Sequence, residues 1–376
     1  MRRYPLREFS FGMLLAIALA ACASHPAAAP PARVATPGAV TGRLEGAAYR
    51  IEIPEAWNGD LIMYLHGYDA KGDPPPEEIG PNDFTGRLLA KGYAVAQSGY
   101  SSQGWAVAEA LVDNERLRRH VVALYGQPRH TLMIGHSMGG HLVLATLERH
   151  PDAYDGALDL CGANMPAAEL FADGVIAPLI AFDYFYPGAL GLAPGGLADP
   201  ASPAQQDTAA LEMALRGNEA HADALARRFR IPRPDLAGAL MFRYLILREM
   251  MQRAGGSPVD NHDTRYAGFG DDAAFNAGVR RYTGDPAALA YVRDNAPLAG
   301  TTRKPVVMLS NRIDPLATPL ISSRYAALAA AAGNSAHILV LPSVGEGHCA
   351  FAPEAVGRAF DTLAAWVNSG RRPPAP

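Results

Sequence analysis

Apolar and polar positions change rhythm along the 376-residue chain, and each change marks an element. Over 48–53 the two kinds alternate, the period of a strand with one wet face, and Trp57-Asn58-Gly59-Asp60 reads as a turn. Residues 42–59 are therefore expected to form an N-terminal hairpin. Short, largely apolar runs follow at 61–65, 92–97, 131–135 and 156–161, the first of them wholly apolar. Between them lie a Pro-, Gly- and Asp-rich loop (69–83) and stretches of helical period at 82–91, about 106–125 and 138–150. Strands apolar on both faces need cover on both sides, and alternation with helices makes the sheet parallel. The chain is read as α/β, a mostly parallel central sheet flanked by helices. The rhythm breaks over 163–302, where helical segments near 204–230 and 236–254 predict a mainly helical cap, and resumes with strands at 304–309 and 336–342.

The run over 131–135 passes straight into Gly135-His136-Ser137-Met138-Gly139, a G-x-S-x-G motif with a helical pattern behind it. A strand-to-helix turn of this kind holds its serine at strained φ/ψ with the hydroxyl exposed above the sheet. A β-carbon at Gly135 or Gly139 would strike the neighbouring strand and helix. Downstream, the strand at 304–309 ends in a loop carrying Asp314, and the strand at 336–342 ends in Ser343-Val344-Gly345-Glu346-Gly347-His348-Cys349. Ser137, Asp314 and His348 can act together: the histidine takes the serine proton, and the carboxylate fixes its tautomer and stabilises the imidazolium. Asp159, at the end of the sixth strand, is a rival acid. A carboxylate amid Ala157, Leu158 and Leu160 is costly unless paired, so Asp314 is preferred. Glu346 reads as a loop residue rather than a relay.

The order Ser, Asp, His, together with His66-Gly67-Tyr68 after the strand at 61–65, resembles the α/β-hydrolase family. The resemblance implies a core of residues 42–162 and 303–370, a cap or lid of residues 163–302 over the serine, and a disordered tail at 371–376. It implies oxyanion donors from the backbone N–H groups of Tyr68 and Met138, with the Tyr68 ring lining the pocket. His66 and His136 are structural in this reading. The aromatic cluster at 182–187 either lines the pocket or packs cap against core. Tannases and feruloyl esterases also carry a cysteine just after the histidine, bridged to one just before the serine. Here that second position is His136, so the likeness to that subgroup is incomplete.

The N-terminus is set aside from the fold. Arg2, Arg3 and Arg7 precede a short apolar stretch ending in Leu19-Ala20-Ala21-Cys22, which resembles a bacterial lipobox. Residues 1–21 are expected to be a signal peptide, Cys22 the lipidated residue and membrane anchor, and 22–41, rich in Ala and Pro, a tether. The protein would then be exported, facing the periplasm or cell exterior. Without residues 1–21 the chain carries 30 basic and 36 acidic residues, a net charge of −6. No basic face points to nucleic acid. In an oxidising compartment Cys161 and Cys349, both at strand ends on one side of the sheet, are either bridged or two separate thiols.

No metal cluster or dinucleotide fingerprint is present, and no cofactor is expected. The acids Asp260, Asp263, Asp271 and Asp272 match no calcium loop and read as helix caps or a solvated face. Three function classes follow. The first is a hydrolase of carboxylic esters, small or polymeric. The second is a serine peptidase or amidase of the prolyl aminopeptidase kind, which an acidic, amine-binding stripe in the cap would favour. The third, a binding module on a dead scaffold, is disfavoured by the intact Ser-Asp-His set.

Overall fold

The computed structural model describes residues 36–71 and 78–374, and one eight-stranded sheet organises them. β1 (Gly38–Leu44) and β2 (Ala47–Ile53) form the expected hairpin, turning through Glu45 and Gly46, both at positive φ. β3 (Leu61–Leu65) and β4 (Ala94–Ser98) enclose α1 (Asp83–Ala90) in sequence. Then come α2 (Val107–Tyr125), β5 (Thr131–His136), α3 (Met138–Arg149) and β6 (Gly156–Leu160). β7 (Val306–Leu309) and β8 (Ile338–Val340) complete the sheet in the order β1-β2-β4-β3-β5-β6-β7-β8. The hairpin strands pair antiparallel, β2 with β4 likewise, and all others run parallel.

The unalternated apolar runs are explained by two cores. Leu61, Met63, Leu65 and Met133 face the side of α2 and α3; Ile62, Leu132 and Ile134 face Leu88 and the C-terminal helix residues Phe360 and Leu363. The central parallel strands bury both faces, the condition a covered parallel sheet imposes.

The cap is inserted between β6 and β7. It contains α4 (Ala167–Glu169), a π-helical stretch (Leu170–Ile176), α5 (Ala177–Phe185), α6 (Thr208–Gly217), α7 (Glu219–Phe229), α8 (Leu236–Ala254), α9 (Asp272–Gly278) and α10 (Pro286–Asp294). The predicted segment at 204–230 is two helices, broken at Asn218, whose side chain accepts the His221 N–H to start α7. Beyond β7 come α11 (Pro319–Ser322) and α12 (Arg324–Ala331), and α13 (Pro353–Ser369) follows β8.

Two expected boundaries are corrected. The tether does not reach residue 41, because Gly38–Thr41 already pair with Arg50–Ile53. β1 is an exposed edge strand, so its sequence carries no apolar alternation. The tail is not free from residue 371: Arg372 donates to the Ile338 carbonyl at 2.8 Å and lies over the Trp366 ring. The signal segment and Cys22 lie outside the described residues. Among those described, no helix is long and apolar enough to cross a membrane.

The α3–β3 contact sets a stability test. A β-carbon on Gly139 would sit 2.0 Å from the Leu65 carbonyl oxygen, whereas one on Gly86 in α1 would meet nothing within 4 Å. Gly139→Ala should cost roughly 3 kcal/mol or more in urea unfolding, since backbone must move. Gly86→Ala should gain about 0.5–1 kcal/mol through helix propensity. Equal midpoints for the two variants would contradict this packing.

Candidate active site

Ser137 sits at φ 56°, ψ −117°, between the last residue of β5 and the first of α3. The strain is imposed from both sides. A β-carbon on Gly135 would lie 2.0 Å from the Gly139 oxygen, and one on Gly140 would lie 2.2 Å from Asp159 Oδ1. Only glycine lets helix and strands close to this distance, which turns the serine outward at the C-terminal edge of the sheet. Gly135 and Gly139 play the steric roles expected of them; Gly140 is an additional requirement, visible only once β6 is placed beside the helix.

His348 Nε2 lies 2.7 Å from Ser137 Oγ, and its Nδ1 lies 2.8 Å from Asp314 Oδ2 and 3.0 Å from Oδ1. Asp314 is 1% exposed and accepts the Leu316 and Ala317 N–H groups at 2.8 and 2.9 Å. The fold thus brings together three residues far apart in sequence. The histidine loop is held by Asn311, whose Nδ2 donates to the Val344 and Ala350 carbonyls. It is also held by a disulfide from Cys349 to Cys161, with Cα atoms 5.3 Å apart. The bridge, one of two readings left open by the sequence, ties the residue after His348 to the residue after β6. Glu346 is exposed, near Arg312, and touches neither acid nor histidine of the set.

Asp159 does not reach His348. It is buried at 1% exposure, where loss of solvation pushes its carboxyl up to about 7. Asn164 Nδ2 donates to its Oδ2 at 2.6 Å, while Asp159 Oδ1 and Asn164 Oδ1 have no partner among the described residues. His136 is pushed down to about 4 by burial and by the neighbouring His348, and lies edge-on to Phe84 and Tyr64. His66, lowered by burial, stacks on Tyr100.

Met138 opens α3, where an N–H has no partner within the helix. Gly67 approaches so closely that a β-carbon there would stand 3.3 Å from Ser137 Cβ, which brings the Gly67–Tyr68 backbone beside the serine. The Tyr68 ring, however, does not line the cavity. Its hydroxyl donates to Glu249 Oε1 at 2.6 Å and its face meets Phe242 at 5.2 Å, so it braces α8.

A cavity of about 50 Å³, open to solvent on one side, lies beside Ser137 and His348. Its apolar wall comes from Trp105, from Leu170, Phe171 and Val175 of the π-helical stretch, and from Phe242 and Ile246 of α8. The cluster at 182–187 neither lines this cavity nor joins cap to core through its rings; it packs within the cap. Phe182 is fully buried against Tyr186, and Tyr184 and Phe185 join Phe275 inside the cap. One charged cap residue does reach the cavity: Arg243, which the sequence alone did not single out. Of the four cap acids, Asp271 caps α9 and Asp272 accepts the Gly268 and Phe269 N–H groups.

Sheet order, the serine turn and an insertion after the sixth strand make this an α/β-hydrolase fold. No family model and no curated protein matches the chain. Among solved structures it is similar to Est1E from Butyrivibrio proteoclasticus, at 14% identity and TM-score 0.43, over 88% of this chain and 99% of that one. It is also similar to the Pyrococcus horikoshii acylaminoacyl peptidase (10% identity, TM-score 0.47, 88% of this chain, 42% of that one). A Mycobacterium tuberculosis puromycin-hydrolyzing peptidase stands at 14% identity and TM-score 0.47, over 88% of this chain and 39% of that one. The chain spans less than half the length of these two peptidases. Likeness this distant says nothing of activity.

Asp159 yields a pH test. Its folded carboxyl titrates near 7 and an unfolded one near 4. Between those values the native state keeps a proton that the unfolded chain has lost, so this group's contribution to stability falls as pH rises through the window. Asp159→Asn removes the titration and offers Asn164 Oδ1 a donor. The melting temperature of the variant minus that of wild type should therefore grow from pH 4 to pH 8. A constant difference would mean that Asp159 is ionised throughout.

Reduction tests the bridge. Cross-linking residues 188 apart stabilises by about 5 kcal/mol in the chain-entropy description. Cys161→Ala should lower the melting temperature by several degrees, and wild type with reductant should match it.

Proposed function

We propose that the chain is a serine hydrolase that cleaves carboxylic esters through an acyl-enzyme. Ser137 Oγ attacks the ester carbonyl while His348 Nε2 takes its proton; the same proton then goes to the leaving alkoxide. Water, activated by His348, attacks the acyl carbonyl and releases the acid. Asp314 holds the Nδ1–H tautomer and offsets the imidazolium charge. The Met138 and Tyr68 N–H groups, the first at a helix N-terminus, meet the oxyanion.

One observation carries the choice of ester over peptide amine. The cavity that meets Ser137 and His348 is apolar, its one charged cap residue is a cation, and no carboxylate lines it among the described residues. The cap does supply a buried acid, Glu249, but Tyr68 and the Trp105 N–H occupy it. An aminopeptidase needs a free carboxylate where a substrate amine would sit. The disulfide supports export, since such bonds persist in oxidising compartments. The lipid on Cys22 stays part of the proposal, and labelling with a fatty-acid analogue should mark wild type and not Cys22→Ser.

The activity test is a comparison of kcat/KM for matched esters and anilides. Esters should be cleaved at least about a hundredfold faster, because an amide expels its amine only after protonation by a tightly positioned acid. A faster anilide with a free amine would move the protein to the peptidase class. Ser137→Ala and His348→Ala should each abolish turnover while the melting temperature changes little. Asp314→Asn should lose roughly three to four orders of magnitude in kcat. A loss confined to Asp159→Asn would displace Asp314 as the acid.

A further inference from the structure

Arg243 is 4% exposed, lines the cavity beside Ser137 and His348, and forms no ion pair among the described residues. Its guanidinium is met by backbone carbonyls alone. Nε–H donates to Gly174 at 2.8 Å, Nη1 to Ala239 at 3.0 Å and to Pro315 at 3.3 Å, and Nη2 to Leu316 at 3.3 Å. Four of the five guanidinium N–H groups are thereby used, and one on Nη2 is left. The four carbonyls need four donors, which only a guanidinium carries, yet none of them neutralises its charge. A charge retained in an apolar cavity calls for a counter-charge.

Asp314 is the acid whose field reaches Arg243, and it is already in contact with His348. Once His348 carries the serine proton, Asp314 offsets the imidazolium instead. The guanidinium remains cationic at neutral pH, although burial pushes it down to about 10.

We infer that Arg243 recognises a carboxylate borne by the substrate, so that the preferred ester is a monoester of a dicarboxylic acid or an ester of a hydroxy acid. The inference rests on the ester-hydrolase reading of Ser137 and names its substrate class. The carboxylate would accept the remaining Nη2 N–H in a charge-assisted hydrogen bond and supply the missing negative charge.

The test uses the purified protein at neutral pH. One arm compares monoethyl adipate with ethyl hexanoate, placing the charge on the acyl half. A second compares 4-(butanoyloxy)butanoate with butyl butanoate, placing it on the alcohol half. In one arm wild type should favour the anionic ester by about tenfold or more in kcat/KM. Arg243→Met should bring that ratio to one or below, and Arg243→Lys should keep part of it. Because Arg243 also braces the acid loop, only the ratio is read, and the wild-type comparison stands even if a variant fails to fold. Calorimetry of Ser137→Ala with the same four esters separates the two claims. Cleavage of esters with no anionic preference in either arm overturns the carboxylate site and leaves the ester reading standing. No cleavage by wild type, with binding of an anionic ester that Arg243→Met abolishes in the Ser137→Ala background, overturns the ester reading and keeps the carboxylate site. Neither cleavage nor anionic binding overturns both.

Discussion

Everything at the site depends on how closely the first turn of α3 approaches the ends of β3, β5 and β6. Gly135, Gly139 and Gly140 each lack the β-carbon that would collide with a carbonyl or a carboxylate at 2.0–2.2 Å. That approach holds Ser137 in a left-handed conformation that serine rarely adopts, and its N–H donates to the Leu160 carbonyl at 2.9 Å. The cost of the strain is offset by two apolar cores that clamp the sheet from both faces. Relaxing the turn would require the helix to lift off the sheet, which those cores oppose.

The partners of Ser137 ride on loops, and loops left alone are mobile. Here each loop is fastened at more than one point. The His348 loop is held by Asn311 and by the bridge to Cys161; the Asp314 loop by its own turn N–H groups and by Arg243 from the cap. Fastening of this kind holds Ser137, His348 and Asp314 in one arrangement. The His348–Ser137 separation of 2.7 Å belongs to a site assembled in advance.

The elbow, Asp314 and His348 were legible in the sequence because each depends on local pattern: a run of apolar residues, a strand end, a glycine-flanked loop. The parallel sheet was legible for the same reason. The helical region of residues 167–185 was not, because α5 is apolar nearly all round and the π-helical stretch before it breaks the 3.6-residue period. β1 was missed in part because an exposed edge strand needs no apolar face. The Tyr68 ring and Arg243 depend on which way a side chain turns across a cap-to-core contact, and spacing along a chain does not encode that. Nothing in the α8 sequence separates Arg243, buried at the cavity, from Arg248, which serves a cap loop.

Helix α8 touches both halves of the machinery. Glu249 receives the Tyr68 hydroxyl and the Trp105 N–H, and Arg243, further up the same helix, grips the carbonyls after Asp314. A cap wired to the core in this way is not an interchangeable module. Grafting a foreign cap onto this core would strip a carboxylate from the Tyr68 loop and a guanidinium from the Asp314 loop.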